Sequence, residues 1–288
     1  MKRMMALGGL LMVGAISTVA RQAPQPPQTA EIEKVRDNLY VIKNGGGNTA
    51  AFITANGVVV VDTKLAGWGQ RIIDKIRSVT DKPITTIINT HTHGDHTGSN
   101  AEFPASVEVV AQENTKTNME KMSAFQGDKA QFLPKRTFKD KVTLFGGADR
   151  VDLYYFGPGH TNGDALIVFP ALRTMHTGDL FAGPSTPIMD VGNGGSGVSY
   201  PQTIKKAVAG IPGVDTVIPG HSDVTTWSAF GEYGDFMEAL VAAVQQGIKE
   251  GKTAEETTAA LKLPDKFKTY GMNRASANVS AIYGEIKK

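Results

Sequence analysis

Between positions 91 and 96 the chain reads His91-Thr92-His93-Gly94-Asp95-His96, which is three imidazoles and a carboxylate in six residues. The run before it, Ile84 to Thr90, has the β-branched, apolar character of a buried strand. Such a strand, ending in a polar, glycine-containing loop, delivers side chains to the carboxyl edge of a sheet, where open α/β sheets hold their sites. In extended backbone His91 and His93 point to the same side and can share one metal ion. Gly94 allows a sharp turn that re-aims Asp95 and His96 toward a second position nearby. The spacing therefore suits two adjacent metal ions better than one, and better than a solvated His-rich turn.

A chain of 288 residues can bury a substantial core, in one large domain or two small ones. The formal net charge is only +2, so we expect a small-molecule substrate and no nucleic acid. The absence of cysteine excludes disulfides, thiolate metal ligands and a Cys nucleophile. At the amino terminus Lys2 and Arg3 precede an uncharged run from Met4 to Ala20, with Thr18 and Ala20 at the −3 and −1 positions of a cleavage site. This is the layout of a secretory signal peptide over residues 1–20. The run is short and Gly-rich for a spanning helix, which needs about 20 apolar residues. A periplasmic or secreted protein, with no stable membrane association after cleavage, is expected; an uncleaved anchor is the alternative. Residues 21–30 read as a Pro/Gln linker without core-forming residues. The globular domain then runs over 31–288, and nothing in it sets the oligomeric state.

Within that domain, Leu39 to Ile42, Ala51 to Thr54 and Val58 to Val61 have strand character, with a hairpin turn at Asn56-Gly57. Trp68, Ile72, Ile73, Ile76 and Val79 fall at helical spacing. Further strands are expected at Val107 to Ala111, Val142 to Phe145, Val151 to Phe156, Ala165 to Phe169 and Thr216 to Ile218, with a helix from Gln202 to Ala209. Met119 and Met122 are expected to pack. Asp190 to Ser199 is Gly-rich and suits a flexible rim over a site. Asp235 with Glu238, and Thr253 with Glu256, have the spacing of capping boxes at helix starts. Val279, Ile282, Tyr283 and Ile286 outline a last helix. Strands followed by a helix occur twice, leading once to the His cluster and once to His221, so two such halves would pack as a sheet sandwich with helices outside.

Three histidines remain. His160 (in Gly157-Pro158-Gly159-His160-Thr161) and His221 (in Pro219-Gly220-His221-Ser222) each follow a β-like run. Each also follows a glycine, which leaves room for metal and substrate. In a chain already carrying the cluster, both read as ligands. His176 lies in Met175-His176-Thr177-Gly178-Asp179. A carboxylate can bridge two cations whereas imidazole cannot, so Asp179 is assigned as the bridge and His176 as a strand or supporting residue.

The ordered set Asp62, His91-Thr92-His93-Gly94-Asp95-His96, His160, Asp179 and His221 resembles the five motifs of the metallo-β-lactamase-fold metallohydrolases, with a glyoxalase II-like ligand set, over nearly the whole chain from Glu31. The resemblance implies an α/β fold, an αββα four-layer sandwich with the metals at one edge of its two sheets. It implies one site of His91, His93 and His160, a second of Asp95, His96 and His221, and Asp179 between them. It makes Asp62 a residue that orients a ligand histidine by accepting its free N–H, which fixes the tautomer and raises ligand basicity.

All-N/O ligation suits two Zn²⁺ per chain, with Fe or Mn as alternatives. Two cations sharing a water lower its pKa from about 15.7 toward 7. The implied reaction is attack of a metal-bridging hydroxide on an ester, thioester, lactone or lactam carbonyl, with Asp95 as the catalytic carboxylate that orients water or moves its proton. The bridging Asp179 makes the pattern nearer to thioesterases and lactonases than to specialised β-lactamases. No Lys follows Asp179 to anchor a carboxylate, and no Tyr stands there as in quorum-signal lactonases; the sequence runs Leu180-Phe181-Ala182-Gly183. The tail residues Lys262, Lys266, Lys268 and Arg274 read as a solvated face. The alternatives are a hydrolase acting on β-lactams, a mononuclear-iron persulfide dioxygenase, and a non-catalytic binding protein. The intact second site argues against the dioxygenase, and His93, where a Glu would stand, against a flavin-coupled diiron reductase.

Overall fold

The computed structural model describes residues 29–288, so the expected signal peptide and most of the expected Pro/Gln linker lie outside the described residues. Ala30, the last residue of that stretch, is buried in the domain. Seven strands form the first sheet in chain order: β1 (Glu31–Arg36), β2 (Leu39–Lys43), β3 (Thr49–Ile53), β4 (Val58–Val61), β5 (Ile84–Asn89), β6 (Glu108–Gln112) and β7 (Arg136–Phe138). They run antiparallel from β1 to β4 and parallel from β4 to β7. The second sheet holds β8 (Lys141–Leu144), β9 (Val151–Tyr154), β10 (Leu166–Phe169), β11 (Thr174–His176), β12 (Thr216–Ile218) and β13 (Thr225–Thr226), ordered β13-β12-β11-β10-β9-β8. Only β11 and β12 pair in parallel there. The helices are α1 (Gly69–Arg77), α2 (Gly94–Thr97), α3 (Glu113–Met119), α4 (Tyr200–Gly210), α5 (Trp227–Lys249), α6 (Ala254–Ala259) and α7 (Ala275–Ile286).

Strand alternation builds the layers. Val59 and Val61 of β4 face the second sheet, in a core with Ile88, Leu153, Ile167 and Ile218. Their neighbours Val58 and Val60 face outward onto Ile72 and Ile76 of α1. Leu166, Val168, Met175 and Val217 of the second sheet turn outward against α4 and α5, where Ile204, Phe230, Tyr233 and Phe236 are buried. Phe52 and Phe169 meet across the sandwich with ring centroids 5.0 Å apart, a contact worth about 0.5–1.5 kcal/mol beyond its buried area. The result is the helix–sheet–sheet–helix arrangement that the ordered motifs imply.

Two elements differ from the sequence reading. Asp235 and Glu238 do not cap a helix: α5 starts at Trp227, and the Thr226 hydroxyl accepts from the Ala229 N–H at 3.2 Å. Phe230 and Tyr233 bury against the sheet, and that burial extends the helix back past Asp235. At α6, by contrast, Thr253 and Glu256 make the expected capping box. The second difference is β1, whose Glu31, Glu33, Lys34 and Arg36 make it a charged edge strand without an apolar signal. Among the described residues no helix is long and apolar enough to cross a membrane.

Candidate metal centre

Five chain segments converge at one end of the two sheets. Asp62 follows β4, His91 to His96 follow β5, His160 lies beyond β9, Asp179 beyond β11 and His221 beyond β12. One nitrogen or carboxylate oxygen from each of His91, His93, His160 and Asp179 lies within 4.8 Å of the others, and Asp95, His96 and His221 form a second such group. Asp179 stands between the groups. Its Oδ1 is 3.2 Å from His96 Nε2, and its Oδ2 is 3.3 Å from His221 Nε2 and 3.8 Å from His160 Nε2. All seven residues that the sequence singles out as ligands are thus in one place. Asp62 is at its edge, with Oδ2 2.7 Å from His96 Nδ1.

The hydrogen-bond partners decide which way each imidazole presents its lone pair. His160 donates Nδ1–H to the Ile188 carbonyl at 2.8 Å, which leaves Nε2 bare toward the site. His93 donates Nε2–H to Asp190 Oδ2 at 2.7 Å, which leaves Nδ1 bare. Thr90 Oγ1 donates to Asp62 Oδ2 at 2.7 Å and so accepts from His91 Nδ1 at 3.0 Å. His91 Nε2 is then a buried atom with no hydrogen-bond partner, and Asp179 Oδ1 is another. His93 Nδ1 and His160 Nε2 face each other at 3.0 Å with their protons committed elsewhere. Lone pairs aimed at one point repel unless a cation occupies it, so this donor set fits a metal ion.

The protonation preferences agree. Burial drives His91 well below the ordinary histidine pKa, and burial brings His160 down to about 4. Both are neutral ligands at neutral pH. Burial also opposes charge on His96, but Asp179 and Asp62 outweigh it and hold the pKa well above normal. For His221 burial is again outweighed, by Asp179 and Asp95, and the pKa reaches about 9. Asp179 stays well below the carboxylate range because His96 and His221 overcome its burial. Two anionic carboxylates thus draw positive charge onto the second group, the place a second cation would take.

Backbone geometry brings the groups this close. Asp62 has φ 62°, a costly conformation for a residue with a Cβ. It lets one carboxylate accept from the Thr90 N–H at 2.8 Å and from His96. Gly47 lies against His96, where an added Cβ would come within 2.1 Å of the ring. The room at Gly220 is used differently from the sequence reading. A Cβ there would lie 2.0 Å from Asp179 Oδ1, so the missing side chain admits the bridging carboxylate itself, and the room at Gly159 is filled by Leu180. Gly94 needs no special conformation either. It opens the short α2, and that helical turn re-aims Asp95 and His96. His176 supports the site from its strand, donating Nε2–H to the Asn48 carbonyl at 3.1 Å and accepting from the Gly178 N–H at 3.1 Å.

Two residues stand at the site in ways that were not visible in the sequence. Asp190, read as the start of a flexible rim, is the carboxylate that orients His93. The rim is pinned: Gly195 N–H donates to the Asp190 carbonyl at 2.8 Å and Ser196 N–H to the Gly159 carbonyl at 3.0 Å. Arg274, read as part of a solvated face, lines the cavity of about 460 Å³ in front of Asp95, Asp179 and His221.

Comparison with known proteins places this geometry. Residues 43–221 match the family described as the metallo-beta-lactamase superfamily. A metallo-beta-lactamase type 2 of Elizabethkingia meningoseptica is 28% identical over 216 residues, 69% of this chain and 81% of that protein. A hydroxyacylglutathione hydrolase of Nostoc punctiforme is 28% identical over 162 residues, 54% of this chain and 52% of its own length. In structure, the stereoselective inverting sec-alkylsulfatase Pisa1 from Pseudomonas sp. superposes with a TM-score of 0.74 at 16% identity. That match covers 89% of this chain and 50% of the sulfatase, and it speaks to the fold alone.

Proposed function

The chain belongs to the metallo-beta-lactamase superfamily and is a metal-dependent hydrolase, and we propose that it uses two zinc ions to cleave an ester, thioester, lactone or lactam carbonyl. The observation that carries this reading is the convergence of three bare imidazole nitrogens, from His91, His93 and His160, on Asp179, with Asp95, His96 and His221 gathered on its other side. In this reading His91, His93 and His160 would hold the first ion and Asp95, His96 and His221 the second, with Asp179 placed to serve both. When bound, two such ions supply Lewis acidity and a water whose pKa falls from about 15.7 toward 7.

The chain's own residues do the rest. Asp62 and Asp190 keep His96 and His93 in the tautomers that present the ligand nitrogen. Asp95 is the half-buried carboxylate that lines the cavity, and its Oδ2 is 3.2 Å from His221 Nε2. It can orient water toward a bound carbonyl, accept that water's proton and pass it on to the departing oxygen, sulfur or nitrogen. The buried His91 and His160 resist protonation, which keeps the first site in its ligand form at neutral pH.

The hydroxyacylglutathione hydrolase relative supports thioesters as one arm of the substrate range and the type 2 metallo-beta-lactamase relative supports β-lactams as another. We further propose that the protein works in the periplasm or outside the cell, on the strength of the Lys2-Arg3, Met4–Ala20, Thr18/Ala20 pattern. Metal analysis and a panel of chromogenic ester, thioester, lactone and β-lactam substrates test the activity. Two zinc ions per chain and turnover of one class are expected, and Asp179→Ala should lose metal and turnover together. One iron per chain would instead favour the dioxygenase, and a fully active metal-free Asp179→Ala variant would refute the mechanism. A mature amino terminus beginning at Arg21 in the periplasmic fraction or medium is the expected mark of export.

A further inference from the structure

We propose that the last helix, α7, which contributes no side chain to either ligand group, is the positioning element of the first group, and that it acts through Asn278 and Glu285. This deepens the two-ion reading above and rests on it. His160 and His93 present bare nitrogens because the Ile188 carbonyl and Asp190 Oδ2 accept their other N–H. Both acceptors sit in the short stretch Ile188-Met189-Asp190. Whatever places that stretch therefore sets two ligand tautomers at once.

The stretch runs on into Gly192, Gly194, Gly195 and Gly197, residues whose backbone takes many conformations unless it is held from outside. Asp190 N–H donates to the His160 carbonyl at 2.9 Å, which joins the loop to the ligand segment, and α7 with the turn before it joins it to the rest of the fold. Upstream, Thr186 N–H donates to the Gly271 carbonyl at 2.7 Å and Arg274 N–H to Thr186 Oγ1 at 3.0 Å. The buried Asn278 amide then donates to the carbonyl of Pro187, the neighbour of Ile188, at 2.8 Å. Downstream, both oxygens of Glu285 are used on the loop. One accepts from the Ser196 hydroxyl and the other from the Val198 N–H at 3.2 Å. Ser196 follows Gly195, whose N–H donates to the Asp190 carbonyl at 2.8 Å. An added Cβ at Gly197 would come within 2.4 Å of Ile282, so the loop lies directly on α7. The helix thus clamps the acceptor stretch on both flanks. Release of either clamp lets an acceptor drift from its ring; the ring then takes either tautomer, and its lone pair no longer always faces the site.

The test compares Asn278→Leu and Glu285→Ala with a control on the same helix, Tyr283→Phe, whose hydroxyl donates to the Lys252 carbonyl at 3.1 Å, away from the loop. Nitrogen-15 chemical shifts of the imidazole rings, recorded on the metal-free protein at mildly alkaline pH, read each tautomer directly. Wild type and Tyr283→Phe should carry the His160 proton on Nδ1 and the His93 proton on Nε2. Asn278→Leu should convert His160 to a mixture of tautomers, and Glu285→Ala should do so for His93. Should Asn278→Leu not fold, the half-buried Glu285 carries the test alone. Zinc affinity is then measured against a chelator in a His221→Ala background, which keeps the first group whole, and in a His160→Ala background, which keeps the second. Each α7 variant should bind zinc about tenfold more weakly in the first background, the lower end of what losing a direct partner costs, and within about twofold of its parent in the second. Glu285→Ala should add less than about twofold to Asp190→Ala, because it acts through that carboxylate. Unchanged tautomers, equal weakening in both backgrounds, or the same changes in Tyr283→Phe would overturn the assignment and leave α7 a structural helix only. If the wild type binds no metal ion, the two-ion reading fails on its own, and the ring tautomers still decide the role of α7.

Discussion

Each of two histidines in the centre depends on one carboxylate that is not itself placed among the ligands. Asp62 accepts the N–H of His96 and Asp190 that of His93, one histidine in each half of the site, and Asp62 reaches His91 only through Thr90. Removing such a partner frees the ring to adopt the wrong tautomer and typically costs about 10–100-fold in metal affinity. Asp62→Asn should therefore weaken the second ion more than the first, leaving about one ion per chain under limiting zinc. Asp190→Ala should weaken the first by a similar factor. Competitive titration against a chromophoric chelator, with circular dichroism to confirm the fold, distinguishes them. If both variants lose the same ion, the assignment of lone pairs from hydrogen-bond partners is wrong.

Among the elements, the glycine-rich link from β2 to β3 is held by a residue that no ligand motif contains. Lys64 is fully buried, and its Nζ donates to the carbonyls of Ile42 at 2.8 Å and Gly47 at 2.7 Å. Burial lowers its pKa to about 7, against the pull of Asp62. Below pH 7 the lysine is charged in folded and unfolded chains alike, and the burial cost is present in full. Between about 7 and the ordinary 10.5 the unfolded chain keeps the proton and the folded chain has released it. The unfolded state then binds more protons, and stability rises with pH. Relative to Lys64→Met, the wild type should gain up to about 1.4 kcal/mol per pH unit across that window, measurable by denaturant unfolding at pH 6 to 10. A constant difference would mean that the amine stays charged in the fold. This link also shows where sequence reading stops. The strands ending at Val61, Asn89, Tyr154 and Ile218 were legible because β-branched runs stop at Asp, His or Gly signals. Lys64 and Asp190 gave no local sign, since their partners lie outside any local window: Lys64 bonds residues 22 and 17 positions away, and His93 and Asp190 are 97 positions apart. The start of α5 was misplaced for a related reason, because burial of Phe230 and Tyr233 against the second sheet outweighs a local capping pattern.

At the scale of the molecule the metal centre joins the two halves of the sandwich. His91, His93, Asp95 and His96 follow a strand of the first sheet, and His160, Asp179 and His221 follow strands of the second. Bound ions would link the sheet ends where opposed lone pairs and carboxylates otherwise push them apart, so metal binding should appear as stability of the whole fold. A ligand bound only by the folded chain contributes about 2.7 kcal/mol at a hundred times its Kd. In a domain of this size 1 kcal/mol moves the melting temperature by about 2–4 °C. Chelation should therefore lower Tm by roughly 5–10 °C for each ion removed, and added zinc should restore it. Asp179 faces both groups, so Asp179→Ala should melt near the chelated wild type and respond little to chelator. Scanning calorimetry with and without chelator makes the comparison. A wild-type Tm indifferent to chelation would show that the sheets hold the seven ligands together without help, and that the ions contribute to chemistry but not to the fold.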